Sequence, residues 1–214
     1  MKGLNNIYNN LLAAYGPRHW WPAETPYEMM LGAILTQNTS WKNVEKAIAN
    51  LKRQASLKPE IIVELSLTEL AEMIRSSGYY NQKAQSLKAL TAWYSKYDYD
   101  IEKASKVDGS ILRRELLAIK GVGPETADSI LTYALEKPFF VVDAYTRRIL
   151  ARFGYDLETT YEGLREQIER NIPRELGIYN EFHALIVEHA KRHCSKKPNC
   201  SGCPLAEKCR RIVN

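Results

Sequence analysis

The residues of this chain best suited to chemistry fall into two groups, a carboxylate behind a glycine-marked turn and a run of thiols. Asp143 ends the apolar run Phe139-Phe140-Val141-Val142 and opens Ala144-Tyr145-Thr146-Arg147-Arg148, about twenty residues after Gly121-Val122-Gly123. An aspartate so placed is a natural helix N-cap, and the local helix dipole keeps it ionised. The same carboxylate could stabilise developing positive charge or orient a water, and the two roles are compatible. The four cysteines, Cys194, Cys200, Cys203 and Cys209, form one Cys-x5-Cys-x2-Cys-x5-Cys run and are all the cysteines present. Thiolates in that pattern suit a metal. Only one short Cys-x2-Cys pair occurs, whereas zinc knuckles usually repeat it, and the wider spacing suits an iron–sulfur cube. Zinc and disulfides are the alternatives, the latter disfavoured in a chain large enough to fold without staples.

The elements that must position these groups are helical. Ile111, Leu112, Leu116, Leu117 and Ile119 recur at helical spacing, as do Ala127, Ile130, Leu131, Ala134 and Leu135, so two amphipathic helices flank the glycines. Gly121 and Gly123 permit positive φ or close backbone approach, and Pro124 suits a first helical position. Free amides at the following helix start would hold an anion such as a nucleic-acid phosphate, although a bland helical hairpin would use the same residues. Further helices are expected over 7–15, 27–35, 44–51, 61–65, 67–74, 81–94, 145–153, 161–171 and 178–193, with connecting segments near 16–17, 54–59 and 96–108. Strand signals are scarce, and the predicted class is all-α.

Global figures agree with this reading. The 214 residues, 45% hydrophobic, suffice for a sizeable core in two lobes, and the formal charge of +5 favours an acidic partner. No apolar run approaches the roughly 20 residues needed to span a bilayer, and no targeting segment is evident. An intracellular, cytoplasmic, nucleoid-associated monomer is expected. His183 and His189 stand six residues apart, which does not place them on one helix face, so packing or exposure is expected rather than a metal pair.

Together, the Gly-Val-Gly turn, Asp143 and the cysteine run resemble the helix-hairpin-helix DNA glycosylases of the endonuclease III superfamily. The resemblance spans almost the whole chain. It implies an all-α, two-lobed fold in which residues 1–21 and 136–193 form one discontinuous lobe and 22–135 the other, with the hairpin at 111–135. A cluster loop and tail occupy 194–214, and the active site is expected between the lobes. It further implies Asp143 as catalytic residue and the four cysteines as ligands of a 4Fe-4S cluster. Lys191, Arg192, His193, Lys196, Lys197, Lys208, Arg210 and Arg211 would make that loop electropositive toward DNA. Leu35-Thr36-Gln37-Asn38-Thr39 resembles the segment that probes the duplex, and Gly78-Tyr79-Tyr80-Asn81-Gln82-Lys83-Ala84 the wedge with a phosphate-contacting helix start. Gln37, Asn38, Tyr79, Lys83, Gly121, Gly123 and Thr126 are the expected contacts to double-stranded DNA carrying a damaged base.

Trp20-Trp21-Pro22, Trp41 and Glu125 are similar to the base pocket of the MagIII type of 3-methyladenine glycosylase, which has Phe where Trp41 stands. An alkylated purine is cationic, so indole faces gain a cation–π term that a normal base lacks. In bifunctional members the Schiff-base lysine lies two residues after the second hairpin glycine. Here that residue is Glu125, which implies a monofunctional hydrolase, since no amine nucleophile stands there. Lys120 precedes the first glycine and does not match. The first cysteine gap, five residues, is one shorter than the family commonly has. The other readings are a same-fold glycosylase for another lesion or mismatch, and a non-catalytic binder of damaged DNA.

Overall fold

A computed structural model describes residues 1, 3–18, 20, 23–55 and 57–212, excepting the side chains of 54 and 55. Among the described residues there are twelve α-helices and no strand, an all-α fold. They divide into two compact units, Met1–Trp20 with Pro138–Asn214, and Trp21–Lys137.

The second unit runs from α2 to α9: α2 (Pro26–Leu35), α3 (Trp41–Ala55), α4 (Pro59–Glu64), α5 (Leu67–Met73), α6 (Tyr80–Tyr94), α7 (Ile101–Ser105), α8 (Gly109–Leu117) and α9 (Pro124–Tyr133). Its axis is α2, which is apolar nearly all round and buried from Tyr27 to Leu35 against α3, α6 and α9. A helix without a polar face belongs inside a bundle. Thr25 starts it by accepting a bond from the Glu28 amide at 3.1 Å, with Pro26 at the first position. Ser66 and Glu69 form a reciprocal capping box that starts α5.

The hairpin pair packs α8 on α9, locked by Arg113, whose Nε donates to Asp128 Oδ1 at 2.6 Å and whose second nitrogen reaches Oδ2 at 3.2 Å. Asp128 is fully buried, so breaking this pair would be strongly destabilising.

The first unit comprises α1 (Leu4–Tyr15), α10 (Ala144–Phe153), α11 (Tyr161–Glu169) and α12 (Leu176–Arg192), followed by the cysteine loop. Leu4, Ile7 and Leu11 recur on one face of α1 and meet Phe140, Phe182 and Leu185 in a single core. Phe140 stands edge-on to both Tyr179 and Phe182 at 5.7 Å, an arrangement favoured by the ring quadrupoles. The segment Phe139–Val142 is buried without becoming a strand. It carries the chain through this core and delivers Asp143 to the start of α10.

Candidate active site and cysteine loop

Asp143 is the N-cap of α10. Its Oδ1 accepts from the Thr146 amide at 2.7 Å and from the Thr146 hydroxyl at 2.8 Å. The other oxygen, Oδ2, lies 3.5 Å from His183 Nε2, a charge pair when the ring is protonated. The Asp143 side chain is 13% exposed. Burial would push its carboxyl up, but His183, followed by the Thr146 amide and hydroxyl, outweighs burial and holds it below the ordinary 3.8. The result is an ionised carboxylate at a helix start with one oxygen tied down. That suits a group meant to stabilise positive charge rather than donate a proton.

His183 is buried on α12, and its ring centre is 5.5 Å from that of Trp20. Trp20, His183 and Asp143 thus form a connected row within one unit. The sequence offers no sign of this, because His183 lies forty residues beyond Asp143 and a buried histidine reads as packing. Trp21 and Pro22, the other stacking candidates there, lie outside the described residues.

The hairpin turn lies in the other unit, and its two glycines differ. Gly121 has φ +89°, and a Cβ there would come within 2.1 Å of Ser86 Oγ, so both positive φ and close approach apply. Ser86 Oγ also donates to Lys120 O at 3.0 Å, tying the turn to α6. Gly123 corrects the expectation for its own position. It has φ −89° as N-cap of α9, and a Cβ there would meet nothing within 4 Å, so neither left-handed backbone nor close protein packing requires glycine. What it provides is open space before the α9 amides.

Gln37 is half-buried, and its Nε2 donates to Gly121 O at 3.0 Å and to Thr126 Oγ1 at 2.8 Å. Thr126 is buried, with its hydroxyl accepting that bond, whereas Glu125 is exposed on the first turn of α9. Asn38 has φ 52°, and Tyr79 is 66% exposed with φ 47°. Trp41 opens α3, half-buried.

Lys83 departs from its expected place among the DNA contacts. It is only 3% exposed, and its ammonium donates to Leu35 O at 2.9 Å, Gln37 O at 2.8 Å and Ser77 O at 2.7 Å. All three protons are used inside the protein, leaving none for a phosphate. Burial pushes its pKa down to about 8.

All four cysteines are free thiols and line one cavity with Arg152, His189 and Leu205. Burial raises the Cys203 thiol, and the three other cysteines add to that rise. Among the described residues, no three of His, Cys, Asp and Glu converge closely enough to grip a single metal ion. Donors also point at the sulfurs: Arg152 reaches Cys194 Sγ at 3.4 Å and the Arg211 amide reaches Cys209 Sγ at 3.4 Å. His189 Nε2 is 3.9 Å from Cys203 Sγ, while Tyr15 OH holds its Nδ1 at 2.8 Å. His183 and His189 therefore serve different neighbourhoods.

Helix α10 joins these features. It carries Asp143 at its start, and from its later turns Arg148 Nε donates to Cys194 O at 2.8 Å and Arg152 to Lys196 O at 2.9 Å.

Comparison with known proteins shows the family. Residues 31–174 match the family described as HhH-GPD superfamily base excision DNA repair protein. The protein named Putative DNA repair glycosylase MJ1434, from Methanocaldococcus jannaschii, is 52% identical over 206 residues, covering 95% of this chain and 94% of that one. The H. pylori 3-methyladenine DNA glycosylase MagIII, solved bound to 1,N6-ethenoadenine, is 33% identical over 87% of this chain and 96% of its own, with a TM-score of 0.72. A non-covalent endonuclease III–DNA complex shares the fold at a TM-score of 0.83, with 24% identity over 98% of this chain and 95% of the other. The chain belongs to the HhH-GPD superfamily of base excision DNA repair proteins and is a DNA glycosylase.

Proposed function

We propose that this glycosylase is monofunctional and hydrolyses the N-glycosidic bond of a flipped alkylated purine such as 3-methyladenine. Two separate observations carry the reading: the largely buried Asp143 carboxylate is held ionised by His183 and Thr146, and the sequence has Glu125 where lyase members have an amine. A carboxylate and no amine favour water over a protein nucleophile. Departure of the base leaves a sugar with oxocarbenium character, whose positive charge Asp143 stabilises while water adds at C1′. A purine carrying an extra alkyl group leaves as a neutral molecule, so no strong general acid is needed. The attacking water's proton passes to Asp143 or solvent, and the products are free base and an abasic site.

Trp20, packed beside His183, offers an aromatic face near the carboxylate, and cation–π attraction on indole is worth about 0.5–2 kcal/mol for a cationic base. The 33% identity with MagIII supports a purine adduct. We further assign Cys194, Cys200, Cys203 and Cys209 as ligands of a 4Fe-4S cluster. When bound, the cluster supplies a structural centre rather than redox chemistry, since glycosidic hydrolysis is redox-neutral. The protein's own residues then orient the loop, Arg148 and Arg152 through its carbonyls.

The decisive experiment is an excision screen on duplexes carrying 3-methyladenine, 7-methylguanine, uracil, oxidised pyrimidines and mismatched bases, read with and without alkali. Release of alkylpurine with strand scission only after alkali is expected. Efficient trapping of a covalent adduct by borohydride would overturn monofunctionality, and preference for another lesion would overturn the substrate class.

A further inference from the structure

We infer that Lys83 is a positioning residue for duplex opening: its ammonium joins the Gln37-Asn38 loop to the Ser77-Tyr79 loop and fixes both in the form that meets DNA. Lys83 itself sits on the first turn of α6. Its acceptors come from the end of α2, from the loop after it, and from the 3-10 turn at Arg75–Ser77. Two of those carbonyls stand next to unusual backbone. Gln37 O immediately precedes Asn38, with φ 52°, and Ser77 O comes two residues before Tyr79, with φ 47°. Non-glycine residues in the left-handed region persist only where surrounding structure over-determines them, and that strain gathers at ligand-contacting sites. Neither Asn38 nor Tyr79 is buried, so the strain secures no core packing.

The joint continues through Gln37. Its backbone carbonyl accepts from Lys83 while its side chain donates to Gly121 O and Thr126 Oγ1. Ser86, one turn beyond Lys83, donates to Lys120 O. Three loops thus share one hydrogen-bonded frame centred on the start of α6. Burying an ammonium costs stability, and apolar packing could fill the same space. A fork of three donors, however, fixes three carbonyls relative to one another, which an apolar side chain cannot do.

The inference rests on the reading of these loops as DNA-facing, and the test separates the two. Lys83→Met and the milder Lys83→Gln are compared with Tyr79→Ala by single-turnover excision, after circular dichroism confirms folding. One substrate has the lesion in a matched pair, and the other has it opposite an abasic site, where extrusion costs less. Lys83→Met is expected to slow excision by about tenfold or more from the matched duplex and by clearly less from the pre-opened one. An equal loss on both substrates, no loss on either, or failure of both Lys83 variants to fold would overturn the inference. Unchanged excision by Tyr79→Ala would instead overturn the DNA-facing reading of its loop.

Discussion

At the scale of single residues, the decisive group is a carboxylate whose two oxygens have different duties. Oδ1 serves α10 through Thr146, and Oδ2 faces His183. Replacement of Asp143 by Asn preserves an oxygen for the cap but removes the charge. Excision should fall by at least about a hundredfold while DNA binding persists, which gel-shift and single-turnover assays would show. Near-normal turnover by that variant would reject the assignment. The pH dependence follows from the depressed carboxyl. A group whose pKa is lowered by folding contributes stability in full above its unfolded value, and loses that contribution as pH falls through the folded one. Asp143 is therefore ionised across the neutral range. In His183→Asn the largest influence that lowers the Asp143 carboxyl is gone, so the acid limb of the excision profile should move to higher pH. An unmoved limb in a folded His183→Asn variant would mean that His183 only fills space.

At the scale of elements, the hairpin turn shows what residue types disclose and what they conceal. Helical spacing and Gly-Val-Gly-Pro are enough to place two helices and a short turn, because period and punctuation are local properties. Which glycine needs its lack of Cβ is not legible, because the reason at Gly121 is Ser86, a neighbour thirty-five residues away. Gly121→Ala should cost about 1–3 kcal/mol, read as a lowered denaturation midpoint, from left-handed backbone and the Ser86 contact together. Gly123→Ala should be nearly neutral in stability yet weaken DNA binding, since its methyl would occupy the space before the α9 amides. Equal destabilisation by both variants would contradict this division.

The same limit explains Lys83, whose type promises a phosphate contact but whose surroundings use every proton. Short α7 (Ile101–Ser105) falls inside a stretch whose residues read as a connection, because five residues carry too little periodicity to register. Its start lies in the cap, where Asp100 accepts from the Glu102 amide at 2.8 Å. His183 is hidden for a different reason. Nothing in a helix discloses which carboxylate a distant segment will bring to it.

At the scale of the whole molecule, α10 gives the Asp143 carboxylate and the cysteine loop a common support. Arg148 and Arg152 hold carbonyls of the loop, and backbone bonds from Arg210 and Ile212 return to Phe153 O and Arg152 O. Gly154, with φ +107°, lets the Arg210 side chain pass where a Cβ would meet it at 2.3 Å. The loop is thus fastened to α10 from both its ends, while its four thiols gather around a cavity. Anaerobically purified protein is expected to contain iron and sulfide in the ratio of a 4Fe-4S cluster. Oxidative loss of that cluster should loosen the loop, removing ordered lysines and arginines from DNA. Binding would then weaken and the slope of affinity against salt would become shallower, because fewer counterions are released. Stoichiometric zinc without sulfide would overturn the cluster. A protein lacking all four cysteines that kept full stability, affinity and excision would overturn its structural role.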